Sequence, residues 1–234
     1  MAAQPKFQIT PSSSEDLYEE YIDRAVQVST PTFRDDPVFT WLFHNHPPSK
    51  YQTLLSVLSR SFFLQASLNG VIFIEVNSFS CSGVLMPSEA ILDNPRTKAD
   101  SQLFHHRSST LKGTSCYPIY LPSTGGYATK KKHRYTFIMG TAVHRRRQGF
   151  ASALLVHMQE RTRSDGWPLR LEAATPNSRN IYSKHGFITA GGMVLGKGKA
   201  NPEGKGRKRN NDMGDVLTTL KLRTRRRLYL MAIS

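Results

Sequence analysis

The pattern of apolar and polar residues along the chain predicts helices and strands in alternation. The first helical segment is SSSEDLYEEYIDRAVQVS, in which Ser13 precedes Asp16 by three residues, a spacing typical of a capping box. Apolar residues then recur at helical spacing, so we expect one buried face formed by Leu17, Tyr21 or Ile22, and Ala25. Ahead of this helix, KFQIT predicts a short strand.

Two further helices and a strand pair are predicted before residue 90. In DDPVFTWLF, Asp36 is expected to cap a short helix that has Pro37 in its first turn. The segment YQTLLSVLSRSFFLQASL predicts a longer amphipathic helix that ends before Asn69 and Gly70. VIFIEVNS and CSGVLMPS are apolar and flanked by Ser, Gly and Pro, which predicts two paired strands.

The second half of the chain predicts a regular alternation. RYTFIMGTAV, LRLEAA and FITAGGMV predict strands, while residues 150–163 and NSRNIYSKH predict helices. Residues 89–132 and 197–211 lack periodicity, so we expect a low-order insertion and a basic flexible loop. DVLTTLKLRTRRRLYLMAIS predicts two β-like pieces at the end. At 234 residues, the whole chain is expected to form one α/β domain.

Composition narrows the class of protein. The two cysteines, Cys81 and Cys116, are far apart and have no metal-like or redox-like spacing, so we expect neither a disulfide framework nor a metal site. No apolar run approaches the roughly 20 residues that span a bilayer. We therefore expect a protein of the cytoplasm, with the nucleus as the alternative, and a monomer or homodimer.

The net charge of +15 predicts anionic partners. From residue 196 onward there are 11 basic and 3 acidic residues, so this segment carries +8 of that charge. Such a field attracts nucleic acid, acidic surfaces or phosphate-rich cofactors, and it repels polyamines and histone-like tails. A neutral or acidic small amine, or a peptide, would suit a basic cleft better.

The segment GTAVHRRRQGFASALLVHMQERTRSDGWPLRLEAATP carries the main chemical signal. Its apolar residues at helical spacing place a helix start near Gly149; these residues are Phe150, Ala151, Leu154, Leu155 and Met158. Free N–H groups at a helix start attract phosphate, and three arginines beside them add charged donors. Arginines alone would be explained equally well by a solvated or nucleic-acid-facing patch.

Two motifs at a consistent separation resemble the GNAT superfamily of acetyl-CoA-dependent N-acetyltransferases. The cofactor motif of that family is Gln or Arg, two residues, Gly, one residue, and Gly or Ala, which RRQGFA from Arg146 to Ala151 matches. The second motif is a Tyr shortly before a Gly-Phe pair, found here as YSKHGF from Tyr182 to Phe187. DDPVFTWLF and LMPSEAILDNPRT also resemble a poorly described group of fungal GNAT proteins.

This resemblance implies a GNAT fold, in which helices flank a mixed, bent sheet whose central strands splay apart around the cofactor. It implies that acetyl-CoA is held by backbone and side-chain groups of the strand end and the helix start. The residues carried over are Met139, Gly140, Thr141, Arg146, Arg147, Gln148, Gly149, Phe150, Ala151 and Asn177. Two departures from the family are Asn177, which lies five residues before Tyr182 rather than six to eight, and Val143, where Pro is common.

The implied reaction is acetyl transfer to a primary amine of a small molecule or peptide, by direct attack through a tetrahedral intermediate. A tyrosine hydroxyl stays protonated at neutral pH, so Tyr182 is the candidate acid, with core packing as its alternative role. RYTFIMGT contains no carboxylate to act as base. Glu172 is the nearest acidic candidate for the base, although an ion pair with Arg170 would also explain a glutamate there. His144 could titrate near neutral pH, although its place among arginines is also explained by a solvated loop.

Two other functions stay open at the level of sequence. The basic runs KKKHR, KGRKRNN and RTRRR would suit a nucleic-acid-binding or ribosome-associated protein. Alternatively, the chain would bind acetyl-CoA with little catalysis, since no base is evident. The first alternative predicts binding that collapses with salt, and acetylation of a panel of amines separates the second from an active enzyme.

Overall fold

The computed structural model describes residues 7–12, 18–87, 132–195, 205 and 217–224. The helices are α1 (Tyr18–Thr32), α2 (Pro37–Leu42), α3 (Tyr51–Ser67), α4 (Phe150–Ser164) and α5 (Pro176–Lys184). The strands are β1 (Ile9–Ser12), β2 (Ile72–Val76), β3 (Cys81–Pro87), β4 (Arg134–Thr141), β5 (Leu169–Ala173), β6 (Phe187–Leu195) and β7 (Leu217–Thr224). The capping pair near residue 13, Leu17, Cys116, the second β-like piece after β7 and, apart from Lys132 and Lys205, the insertion and the basic loop lie outside the described residues.

The seven described strands form one mixed sheet in the order β1-β2-β3-β4-β5-β7-β6. The pair β4–β5 is parallel, and the other neighbouring pairs are antiparallel. The predicted pairing of VIFIEVNS with CSGVLMPS is confirmed as the β2–β3 hairpin, with Ile72 opposite Leu85 and Val76 opposite Cys81. This mixed sheet with flanking helices confirms the expected fold class.

Helix α1 is fixed to the sheet by its predicted apolar face. Tyr21, Ile22 and Ala25 are buried, and the Tyr21 hydroxyl lies 2.8 Å from Ile74 O and 3.1 Å from Gly83 O. This hydroxyl therefore joins α1 to both strands of the β2–β3 hairpin. The helix runs to Thr32, past the Ser29 at which the sequence pattern ended, and so it reaches the end of β4.

Apolar side chains cover both faces of the sheet. On one face, α4 packs with Leu154, Leu155 and Met158 against the inward residues of β2, β3 and β5. On the other face, α1 and α3 pack against Phe73, Val84 and Ile138. Because successive strand residues point to opposite faces, Leu169, Leu171 and Ala173 of β5 face α4, while Arg170 and Glu172 point to the other side.

Candidate functional site

The central parallel strands separate after two residue pairs. Arg134 is paired with Leu169 and Tyr135 with Arg170, and neither strand pairs with the other beyond that point. Strand β4 nevertheless continues to Thr141 and β5 to Ala173. The space between the two diverging strand ends is called the gap here. It confirms the expected splay of the central strands.

Backbone groups of β4 line the gap. Ala142 N donates to Ser80 O, and hydrogen-bonded pairs alternate along an antiparallel ladder, so Gly140 also directs its N–H and C=O toward β3. The same alternation turns the polar groups of Met139 and Thr141 away from β3 and toward the gap, and Thr141 O also lies 2.9 Å from Thr32 Oγ1. An extended ligand lying there could pair with these groups as an added strand would.

Gly140 is explained by packing as well as by its place beside the gap. A Cβ atom at this position would lie 3.3 Å from Thr32 Cγ2 and 3.5 Å from Phe33 Cε2. The end of α1 thus approaches β4 at a point where a side chain would crowd it. This close approach brings Thr32 and Phe33 to the end of β4.

The arginine turn, residues 143–149, connects β4 to α4 through an irregular backbone. Residues Val143–Arg145 form one 3-10 turn, Arg147 has a φ of +63° and Gly149 has a φ of +90°. Arg145, Arg147 and Gln148 are exposed. Helix α4 then begins at Phe150, and its first hydrogen bond runs from Ala153 N to Gly149 O.

The backbone N–H groups of residues 147–151 donate to no other group among the described residues. They stand together at the positive end of the α4 dipole, beside exposed arginines, and next to the end of the gap. Free amides arranged in this way form an anion site of the kind that holds phosphate groups. The residues therefore fit a ligand that has a diphosphate and an extended arm, as coenzyme A does.

Gly149 is also required by its close packing against Phe7, which the sequence alone did not predict. A Cβ atom there would lie 3.2 Å from Cζ of Phe7, and the Phe7 ring packs edge-on against Phe150 with centroids 5.3 Å apart. Phe7, two residues before β1, therefore packs against the arginine turn at Gly149.

We expect Gly149→Ala to destabilise the protein even without ligand, by about 2 to 3 kcal/mol, because a positive φ and a close contact both oppose the methyl group. Gly166→Ala is the matched control, since Gly166 has a φ of +69° and open space around its Cβ position. Urea unfolding of both variants measures the difference. Equal losses would mean that Phe7 exerts no constraint on the turn.

Tyr182 lies on α5 with its ring buried in the α4-side core. The ring centroid is 6.0 Å from that of Phe187, and no hydrogen bond joins the hydroxyl to any other described residue. Burial raises the pKa of Tyr182 above its ordinary value, and the nearby Cys81 and Asp36 raise it further. The hydroxyl is thus a protonated donor without a partner, near groups at the end of the gap.

Helix α5 is held at both ends. At its start, Thr175 and Ser178 form a reciprocal capping box. At its end, His185 Nε2 lies 2.9 Å from Ser152 Oγ, and His185 O accepts from Gln159 Nε2 at 2.8 Å. Two contacts with α4 thus fix the helix that carries Tyr182.

Asp36 is a candidate functional residue that the sequence identified only as a helix cap. Its role as cap is confirmed, since its Oδ1 accepts from Val38 N at 2.9 Å. Burial nevertheless raises the pKa of Asp36 to about 6, despite the backbone hydrogen bonds from Val38 and Phe39. A carboxylate that binds a proton near neutral pH is suited to general base catalysis.

Interactions with Phe33 and Tyr182 indicate the position of Asp36. Asp36 N donates to Phe33 O, and Phe33 packs beside Gly140 at the end of β4. The carboxylate is also close enough to Tyr182 to raise the pKa of that hydroxyl. Asp36 therefore follows Phe33 on the α1 side of the sheet, opposite to the α4-side core that holds Tyr182.

The structure places the other sequence candidates on β5, on α5 and in the arginine turn. Glu172 is half-buried on the face of β5 opposite to Leu171, so the strand does not bring it to the α4-side core that holds Tyr182. Asn177 is exposed in the first turn of α5, and His144 is exposed in the arginine turn. Cys81 accepts from Thr141 Oγ1 at 3.3 Å, and burial raises the pKa of its thiol to about 11.

No described helix is long and apolar enough to cross a membrane. No family model matches the sequence, and no curated protein matches it either.

Solved structures do match the fold. The protein named histone acetyltransferase HPA2 and related acetyltransferase, from Corynebacterium glutamicum, superposes with a TM-score of 0.52 at 16% identity, covering 92% of this chain and 94% of its own. Arylalkylamine N-acetyltransferase 2 from Aedes aegypti gives a TM-score of 0.50 at 15% identity, covering 93% and 98%. The chain has the GNAT fold.

Proposed function

We propose that this protein is an acetyl-CoA-dependent N-acetyltransferase of the GNAT superfamily, which acetylates a primary amine of a small molecule or peptide. The observation that carries the proposal is the continuity of the gap with the free amides of residues 147–151. One end of this surface suits an extended arm and the other suits a diphosphate. The RRQGFA motif spans the arginine turn and the start of α4, and the YSKHGF motif runs from α5 into β6, which supports the proposal.

The donor side is assigned to backbone groups. When bound, acetyl-CoA would supply an acetyl group activated as a thioester. The amides of residues 147–151 would hold its diphosphate, and Arg147 would add a charged donor beside them. Met139 and Thr141 would pair with its extended arm, and a backbone N–H from the same strand end would stabilise negative charge on the reacting carbonyl oxygen.

The acceptor side is assigned to Asp36 and Tyr182. Asp36 would accept a proton from the amine, because a pKa of about 6 leaves it ionised at neutral pH yet basic enough to bind a proton. Tyr182 would donate its proton to the departing thiolate, since a tyrosine hydroxyl is protonated at neutral pH, and it would regain a proton from solvent after product leaves. Glu172, half-buried on β5, is the second candidate for the base.

The first test is thermal unfolding with and without acetyl-CoA at physiological salt. At about 100 times Kd, binding to the native state adds about 2.7 kcal/mol, which raises Tm by about 5 to 10 °C for a chain of this size. An RNA oligonucleotide serves as the polyanion control. A shift with RNA and none with acetyl-CoA would favour the nucleic-acid alternative and would end the proposal.

Catalysis is tested by release of free thiol from acetyl-CoA in the presence of phenethylamine, hexylamine, lysine amide, spermidine and an Ala-rich peptide. We expect at least one amine that carries no second charged group to accelerate thiol release above the rate without amine. Spermidine should be a poor acceptor, because the arginine turn repels its several positive charges. A thermal shift without any accelerated release would identify a binding protein with lost activity.

A further inference from the structure

The side chain of Arg146 has a partner within the protein. Its Nη2 donates to Thr32 O, the last carbonyl of α1, at 3.0 Å. A helix C-terminus carries free carbonyls and a partial negative charge, which favours a guanidinium there. Arg146 also helps to lower the pKa of Asp35, after the larger effect of the Arg34 hydrogen bond. Arg146 therefore reaches from the arginine turn to the segment that follows α1.

That segment, residues 32–36, carries Asp36 and is fixed at two further points. Thr32 Oγ1 lies 2.9 Å from Thr141 O, and the Phe33 ring packs over Gly140. Both of these contacts are made to the end of β4. Arg146 supplies the third, and among the three it alone comes from the turn whose amides are free.

We propose that Arg146 is a positioning residue, which couples the diphosphate site in the arginine turn to the segment that carries Asp36. This inference rests on the proposed function. A ligand anchored on the amides of residues 147–151 restrains the backbone on which Arg146 stands. Through the bond to Thr32 O, that restraint passes to residues 32–36 and holds Asp36 at the gap.

The backbone conformation of the arginine turn gives this coupling a physical basis. The arginine turn holds Arg147 at a φ that non-glycine residues seldom adopt, and this conformation has a free-energy cost that an anion bound to the amides would offset. Binding that selects the conformation described here also selects the Arg146–Thr32 contact. Binding of acetyl-CoA would therefore order residues 32–36, which carry Asp36, before the amine binds.

The test compares amide hydrogen exchange with and without saturating coenzyme A in wild type, Arg146→Gln, Arg146→Lys and Arg147→Gln. The cofactor motif tolerates Gln at position 146, so Arg146→Gln keeps the phosphate-facing backbone while the shorter side chain fails to reach Thr32 O. In wild type, we expect coenzyme A to slow exchange at least threefold in peptides covering both 147–155 and 33–43.

In Arg146→Gln, protection is expected only in the 147–155 peptide, with coenzyme A affinity within about tenfold of wild type. Arg146→Lys should restore part of the 33–43 protection, because Lys can donate to the same carbonyl. Arg147→Gln should weaken coenzyme A binding but, at saturation, protect both peptides.

Wild-type protection of 33–43 that survives Arg146→Gln would overturn the inference, as would complete loss of coenzyme A binding in that variant. Neither result would touch the proposed function. A wild-type protein that fails to bind coenzyme A at all would instead overturn the proposed function, and this inference with it.

Discussion

Replacing Asp36 with Asn is expected to lower kcat/KM for the best amine by about 10² to 10⁴-fold at pH 7.5, since the amide cannot accept the amine's proton. In wild type, the rate should fall about tenfold per pH unit below 6, because Asp36 has a pKa of about 6 and its protonated form is not a base. The variant should lose this acidic limb. Steady-state rates of thiol release between pH 5 and 8 measure both effects.

The same substitution is expected to raise stability at neutral pH. The folded protein raises the pKa of Asp36 from 3.8 to about 6, so the native state binds the proton more tightly than the unfolded chain. Ionisation therefore costs native stability as the pH rises from about 4 to about 6, and the full cost persists above 6. Asn avoids this cost and still caps α2, so we expect a gain of about 1 to 3 kcal/mol at pH 7.5 that vanishes near pH 4.

Asp35→Asn is the matched control. Asp35 is the exposed neighbour of Asp36, paired with Arg34, so its loss should change rate and stability little. A gain in stability with loss of activity would mark Asp36 as a residue kept for function at the expense of stability. If Asp36→Asn retained wild-type rates and the acidic limb, the base would have to be another group.

The elements were predictable because local pattern decides them. The apolar face of α1 at Tyr21, Ile22 and Ala25, the cap at Asp36, and the start of α4 after Gly149 all follow from residue spacing, and each is confirmed. The strand predicted in KFQIT is wrong in its bounds, since β1 runs from Ile9 to Ser12. Pairing with β2 decides where that strand lies, and pairing partners are distant in sequence.

The site was less predictable because it depends on contacts between distant segments. Asp36 and Tyr182 are 146 positions apart in the chain, and the tertiary fold brings the carboxylate close enough to raise the pKa of the hydroxyl. The sequence placed Glu172 on the strand after α4, and strand alternation shows which face of the sheet it takes, opposite to Leu171. Arg146 matched a cofactor motif, whereas its bond to Thr32 O depends on how far α1 extends.

Tyr182→Phe and Tyr21→Phe are expected to show opposite effects, although each removes one hydroxyl from a buried tyrosine. The Tyr182 hydroxyl has no hydrogen-bond partner among the described residues, so its removal should leave Tm within about 2 °C of wild type. It should nevertheless lower kcat by about 10²-fold or more, because the departing thiolate loses its proton donor.

Tyr21→Phe instead leaves Ile74 O and Gly83 O without their buried donor, which should cost about 1 to 3 kcal/mol of stability. Tyr21 bonds to carbonyls of β2 and β3, which β4 separates from the gap, so kcat should stay within about threefold of wild type. Thiol-release kinetics and thermal unfolding of the two variants together separate a catalytic hydroxyl from a structural one. A Tyr182→Phe protein with normal kcat would show that this ring serves packing alone, and the proton would then have to come from solvent in the gap.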